Sequence, residues 1–345
     1  MTAEWPEIEQ AVTTIARWLL AKERIAVVGH VDPDLDSIGS ILALKLALSG
    51  LGKTAWAVSP DPDPRYWHFL PGHDDLLVGA PDWLIPDVVA VLDTEVREER
   101  LGAAWPLVQR ARLTLNVDHH NTNIRAADHW LVEPAAAATG ELVYYLVRAL
   151  GAPVTREIAT CLYAAILTDT GAFRFSNTSA RTLALAAELV EKGVDPHDVS
   201  ARIYDTRSWE FIRLLGRMLS NLRRTDDGRI AWIELSREEA AQAGVTPSEV
   251  EGLVQYPRMV DGVEVAVLFK ELEPGKTRVS LRSQRYVDVS AIARTFGGGG
   301  HLRAAGCTLA APLAVAVRQV IEACRQAVAQ GQESLPLDGR QSRGG

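Results

Sequence analysis

Through residues 1–190, short apolar runs alternate with longer stretches of helical period. Ile8, Val12, Ile15, Ala16 and Leu19 recur near helical spacing and predict a first helix ending near residue 23. Ile25–Val28 is apolar at every position, the pattern of a strand covered on both faces. An amphipathic helix is expected from Ile38 to Leu48, stopping at Ser49-Gly50. Thr54–Val58, Pro86–Asp93 and Leu113–Asp118 read as three more strands. Thr139 is placed as the N-cap of a helix running to Leu150, and helices over Thr155–Thr168 and Thr178–Lys192 follow. This alternation predicts an α/β fold with a mainly parallel sheet flanked by helices.

Beyond about residue 225 the texture changes. Arg229–Leu235 alternates like a half-buried strand, and short helices are expected at Ser236–Ala243 and Pro247–Met259. The run from Val263 reads as a hairpin turning at Glu273-Pro274-Gly275, and a last helix spans about Pro312–Val328. The expected boundaries are a first domain over 1–190, a helical connector over 191–225 and a smaller α/β domain over 226–330. A polar, Gly-rich tail over 331–345 is expected to be disordered.

The length of 345 residues suits two domains. The net charge of −8 and the lack of a basic stripe argue against a groove for long nucleic acid, while leaving room for a small anionic substrate. The N-terminus, MTAEWPEIEQ, lacks the basic region of a signal peptide. No apolar run approaches the roughly 18 residues of a membrane span. A cytoplasmic protein without a membrane partner is therefore expected. Cys161, Cys307 and Cys324 are scattered and read as buried, reduced thiols.

Charge placement changes the picture most. In VVGHVDPDLDSIGS, from Val27 to Ser40, His30, Asp32, Asp34 and Asp36 crowd the turn between a strand and a helix. Their repulsion is costly unless a cation sits among them. One aspartate is expected to cap the helix, which leaves the others unexplained. A calcium loop is excluded, because its sixth position would be Ser37 and its twelfth Ala43. The other strands end alike, at Asp93 and at Asp118-His119-His120, and Asp169 closes a helix. In a parallel sheet the carboxyl ends share one edge, so these residues should converge. Carboxylates and imidazoles without thiolates suit Mn²⁺, Mg²⁺ or Zn²⁺. Two ions about 3.5–4 Å apart and sharing a carboxylate would use the set and suit phosphoester hydrolysis. His68, His73, His129 and His197 read as structural. Gly297–Gly300 followed by His301 is a candidate phosphate nest, without the Gly-Lys-Ser/Thr of a nucleotide P-loop. Arg282 and Arg285 nearby could add guanidinium forks.

Taken together, these motifs resemble the DHH phosphoesterases, named for the Asp-His-His seen here at Asp118-His119-His120. HVDPDLDSIGS, VLDTE, DHH and LTDTG match the four N-terminal motifs in order, and GGGGHLRAAG matches the associated C-terminal domain. The chain is most similar to the stand-alone two-domain type, the bacterial nano-RNases and 3′-phosphoadenosine-5′-phosphate phosphatases. The resemblance makes 1–190 the DHH catalytic domain and 226–330 the DHH-associated substrate-binding domain. It implies that His30, Asp34 and Asp93 hold one ion and that Asp36, Asp93, His119 and Asp169 hold a second, with Asp93 bridging. Asp118 would fix a histidine tautomer, His120 would face the scissile phosphate, and Arg174 would contact substrate. Arg282, Gly299, Gly300 and His301 would grip the terminal phosphate or nucleotide, a ruler favouring short substrates.

The implied cofactors are two divalent ions, Mn²⁺ first, with Mg²⁺ or Co²⁺ as alternatives. The implied activity is hydrolysis of short oligoribonucleotides to 5′-mononucleotides and of 3′-phosphoadenosine-5′-phosphate to AMP. A cyclic-dinucleotide phosphodiesterase, acting on c-di-AMP or pApA, is the alternative. From another class, a metal-dependent nucleotide-binding regulator without turnover is a third reading. Short RNA or small nucleotides are the expected partners, not long double-stranded nucleic acid, and a homodimer is left open.

Overall fold

Along β1 (Arg24–Val28) successive side chains point to opposite faces, and both faces are apolar. Ile25 and Val27 join the core beneath the main helices, while Ala26 and Val28 join a smaller cluster with Val58, Leu101 and Leu107. The continuous apolar run thus arises because the strand is covered twice. The computed structural model describes residues 5–245 and 250–333. It divides into two units, Met1–Thr206 and Arg207–Gly345, and the division falls inside the 191–225 segment.

The first unit carries six parallel strands in the order β3-β2-β1-β4-β5-β6. The further strands are β2 (Thr54–Ser59), β3 (Leu77–Val78), β4 (Val88–Leu92), β5 (Leu113–Asp118) and β6 (His129–Val132). The chain leaves β1 toward β2 on one side and returns to β4 on the other. The order therefore reverses between β1 and β4, the position at whose carboxyl ends open α/β sheets place their ligands. Neither edge strand was expected: β3 has two residues, and β6 (HWLV) opens with His129 and the exposed Trp130.

The helices of this unit are α1 (Pro6–Leu20), α2 (Leu35–Gly50), α3 (Glu98–Leu101), α4 (Trp105–Arg110), α5 (Thr139–Ala149), α6 (Arg156–Asp169), α7 (Ala180–Glu191) and α8 (Pro196–Ser200). The amphipathic character expected of the second of them is not found. From Leu35 to Leu44 every residue of α2 is buried, because the sheet, α5 and α6 enclose it.

The second unit opens on α9 (Trp209–Ser220). Its sheet has the order β11-β12-β10-β9-β8-β7. The strands are β7 (Arg223–Arg224), β8 (Ile230–Leu235), β9 (Val265–Glu273), β10 (Lys276–Ser283), β11 (Gly299–His301) and β12 (Ala304–Leu309). β8 and β9 are parallel, and the other pairs are antiparallel. One face packs Ala266 and Leu268 against α9, α10 (Arg237–Ala243) and the turns that end in α11 (Gln255–Arg258). The other packs Val267 and Phe269 against α12 (Val289–Thr295) and α13 (Leu313–Glu333).

The helix expected over Pro247–Met259 is a 3₁₀ turn, Glu251–Val254, running into α11; its start lies outside the described residues. α13 continues past Val328 to Glu333, and the rest of the expected tail, 334–345, also lies outside them. Among the described residues no helix is long and apolar enough to cross a membrane. Cys161, Cys307 and Cys324 are buried and unbridged, as expected.

Candidate metal centre

The carboxyl end of β1 delivers His30, and that of β4 delivers Asp93, across the point where strand order reverses. Asp34 is the expected cap: it precedes α2, and its Oδ1 accepts the Ser37 amide at 3.0 Å. Asp32 is a turn residue at φ +50°, and its amide donates to Asp61 Oδ2 at 2.9 Å.

Asp36 lies buried on the first turn of α2, facing the N-terminus of α5. Its Oδ1 accepts the Gly140 amide at 2.9 Å, and its Oδ2 accepts the Thr139 amide at 2.7 Å. Thr139 is therefore not the N-cap, which is Ala138. Its hydroxyl instead donates to Asp93 Oδ1 at 2.9 Å. Because a carboxylate from another element meets the first amides of α5, no local cap is required. A Cβ at Gly140 would lie 2.7 Å from Ala165 Cβ, so glycine lets these amides reach Asp36.

Asp93 adopts a left-handed backbone, φ +65°, and is buried. Burial, then the like charges of Asp36, Asp34, Asp118 and Asp169, push its carboxyl well above the ordinary carboxylate range. Burial also pushes Asp36 up and His30 down. Burial would raise Asp118 as well, but hydrogen bonds from His120 and Asn123 outweigh it and hold Asp118 at about 2.

Two imidazoles have their tautomers set by the backbone. His30 Nδ1 donates to Val31 O at 2.8 Å, and His119 Nδ1 donates to Ala136 O at 3.3 Å. A carbonyl can only accept, so each ring carries a hydrogen on Nδ1, which leaves Nε2 as the nitrogen able to offer a lone pair to a metal. His30 Nε2 faces Asp93 Oδ2 at 3.4 Å and Asp34 Oδ1 at 4.0 Å. His119 Nε2 faces Asp93 Oδ1 at 3.5 Å, Asp169 Oδ2 at 3.7 Å and Asp36 Oδ2 at 3.8 Å. Donors about 3–4 Å apart suit a divalent ion bound at about 2.0–2.2 Å from each. The donor set therefore fits divalent cations. His30, Asp34 and Asp93 form one group able to hold an ion, and Asp36, His119 and Asp169 another. The two oxygens of Asp93 face one group each.

Asp118 grips His120, the second histidine of the pair. Its Oδ1 accepts His120 Nδ1 at 2.7 Å, and its Oδ2 accepts Asn123 Nδ2 at 2.6 Å. Asn123 also donates to Asn116 Oδ1 at 2.8 Å, and Asn116 donates to the Val91 and Thr94 carbonyls. Asn116, Asn123 and the contact of Thr139 with Asp93 are not among the site features read from the sequence. The signal for Asn116 was a lone amide inside the apolar run LTLNVD; Thr139 carried none, since its position already suited a cap.

Arg174 is exposed, and its Nε donates to Gly171 O at 2.6 Å. Between Asp169 and Arg174, Ala172 and Phe173 both take left-handed backbones, φ +59° and +60°. In the second unit, Arg282 pairs with Ala304, and Ala304 pairs with His301, which puts Arg282 and His301 in one row across three strands. Gly299 and Gly300 precede His301 in β11. A Cβ at Gly300 would lie 2.6 Å from Ala304 O, and φ there is +136°, so the pairing needs glycine.

Residues 24–166 match the model of the DHH family, N-terminal domain, and residues 230–330 match the DHHA1 domain. The chain is 36% identical over 323 residues to the bifunctional oligoribonuclease and PAP phosphatase NrnA of Thermus thermophilus, covering 93% of this chain and 95% of that one. It is 28% identical over 304 residues to the Bacillus subtilis protein of the same name, covering 86% and 93%. Its fold is similar to the crystal structure of an exopolyphosphatase-related protein from Bacteroides fragilis, with a TM-score of 0.82 and 27% identity over 93% of this chain and 96% of that one.

Proposed function

The chain belongs to the DHH family of phosphoesterases, and from that premise we propose that it is a metal-dependent hydrolase of short oligoribonucleotides and 3′-phosphoadenosine-5′-phosphate. The products are 5′-mononucleotides and AMP. One observation carries this reading: the buried Asp93 turns one oxygen to His30 and the other to His119, a placement from which one carboxylate could serve two ions. His30, Asp34 and Asp93 would hold one ion, and Asp36, Asp93, His119 and Asp169 the second. Mn²⁺ is the metal assigned to both. Two divalent ions held there would supply a water of lowered pKa and positive charge for the phosphoryl oxygens.

The protein's own groups orient the reaction. Asp118 holds the His120 ring, and His120 donates to the phosphoryl or leaving oxygen. Thr139 fixes which oxygen of Asp93 faces His119, and the amides of Thr139 and Gly140 fix Asp36. Arg174 contacts substrate, and Arg282, Gly299, Gly300 and His301 take a terminal phosphate.

Thr139→Val keeps the shape and the amide bond to Asp36 but removes the hydroxyl bond to Asp93. It is expected to lower kcat by about 10–100-fold, with an unchanged circular dichroism spectrum. Steady-state kinetics on a dinucleotide check this. Gly300→Ala puts a Cβ 2.6 Å from Ala304 O and so displaces β11. It is expected to raise KM for 3′-phosphoadenosine-5′-phosphate several-fold more than it lowers kcat, measured by phosphate release.

The test of the reading is a Mn²⁺-supported panel of an RNA dinucleotide, a long RNA, 3′-phosphoadenosine-5′-phosphate, cyclic di-AMP and pyrophosphate. Fast release of mononucleotides from the dinucleotide and of phosphate from 3′-phosphoadenosine-5′-phosphate, with long RNA slow, is expected. Preference for the cyclic compound would move the protein to second-messenger turnover, and no hydrolysis would reduce it to a binding module.

A further inference from the structure

Outside that centre, the loop between β2 and β3 brings together Asp63, His68 and His73. Asp63 Oδ2 lies 2.8 Å from His73 Nε2, and Asp63 Oδ1 lies 3.8 Å from His68 Nε2. The two rings stack with centroids 4.1 Å apart and planes 26° from parallel. The carboxylate is nearly buried at 5% exposed, His73 is 9% exposed, and His68 is half-exposed at 47%. All three donor atoms lie within 4.8 Å of one another. We propose that Asp63, His68 and His73 form a separate binding site for a divalent transition metal of the zinc type.

Each imidazole presents the same nitrogen to the same carboxylate, and each meets a different oxygen of it. A proton can serve one of these contacts: 2.8 Å is a hydrogen bond and 3.8 Å is not. One divalent ion would answer both nitrogens and the carboxylate together once the half-exposed His68 ring turns out of the stack, since a metal is bound in the plane of each imidazole. Two imidazoles and one carboxylate suit zinc or cobalt better than magnesium or calcium, which take oxygen ligands. Three protein ligands leave a coordination position open for water. There is also a way in. His68 lines a cavity of about 370 Å³ with Arg65, Tyr66, Phe69, Arg202 and Thr206. The ion would clamp a loop that holds few regular hydrogen bonds beyond two 3₁₀ turns. His68 and His73 read as structural in the sequence, where each stands as a lone histidine.

The experiment compares wild type with His68→Ala, a substitution at a half-exposed ring that no hydrogen bond ties to Asp63. Both proteins are saturated with Mn²⁺, given a slight excess of Zn²⁺ and desalted. Bound metals are then counted by plasma mass spectrometry. Zinc that displaces manganese elsewhere cancels in the comparison. Wild type is expected to hold one more equivalent of zinc than His68→Ala, with equal Mn²⁺-supported hydrolysis in the two. Cobalt in place of zinc should give wild type a visible ligand-field band that the variant lacks. Equal zinc content and equal cobalt spectra would overturn the proposal.

Discussion

Asp93→Ala is expected to abolish metal-supported hydrolysis, by more than about 10³-fold, while leaving the protein folded. The reasoning starts from where the side chain sits. It is buried at the carboxyl end of β4, with Oδ2 at 3.4 Å from His30 and Oδ1 at 3.5 Å from His119. Removing it takes a donor from both groups at once, so neither ion keeps its place relative to the other. The same residue is a liability without metal, because burial and four neighbouring carboxylates disfavour its charge. Metal-free stability should therefore move opposite to activity. Asp93→Asn, which keeps the shape and loses the charge, is expected to unfold at a temperature no lower than wild type in chelator. Adding Mn²⁺ should raise the unfolding temperature of wild type more than that of the variant. Thermal scans with and without chelator, beside an activity assay, check both halves. Activity surviving Asp93→Ala would sink the shared-carboxylate account.

His120→Ala is expected to lower kcat by about 10²–10⁴-fold with little change in KM. The ring is tied to Asp118, which itself is tied to Asn123, and His120 Nδ1 lies 4.0 Å from Asp93 Oδ1. A ring so held would be placed to act on substrate beside the proposed ions. If Asp118 acts through His120, Asp118→Asn should lower kcat too, and the double variant should lose little more than His120→Ala alone. Single-turnover rates on a dinucleotide measure the three variants. Additive losses would mean that Asp118 works by another route, and a loss confined to KM would make His120 a binding group.

Much of this arrangement was legible before any coordinates. Apolar runs that end in carboxylates or imidazoles mark strands of one parallel sheet, and one sheet edge gathers their ends, so His30, Asp93 and His119 could be expected to meet. The short edge strands β3 and β6 were not legible, because two residues and a polar start leave no periodic trace. Nor was the role of Thr139, whose position before an apolar run fits an N-cap equally well. Its true partner, Asp93, is 46 residues away and meets it only through tertiary packing. The burial of α2 on every side escaped for the same reason, since its pattern says which residues are apolar and not how many elements surround it.

Whether Asp93 joins two ions can be seen by anomalous diffraction from crystals grown with Mn²⁺. Two peaks about 3.5–4 Å apart are expected. One should lie within bonding distance of His30 Nε2 and the other of His119 Nε2, with an Asp93 oxygen bound to each. A single peak, or two peaks without an Asp93 contact to both, would contradict a shared Asp93.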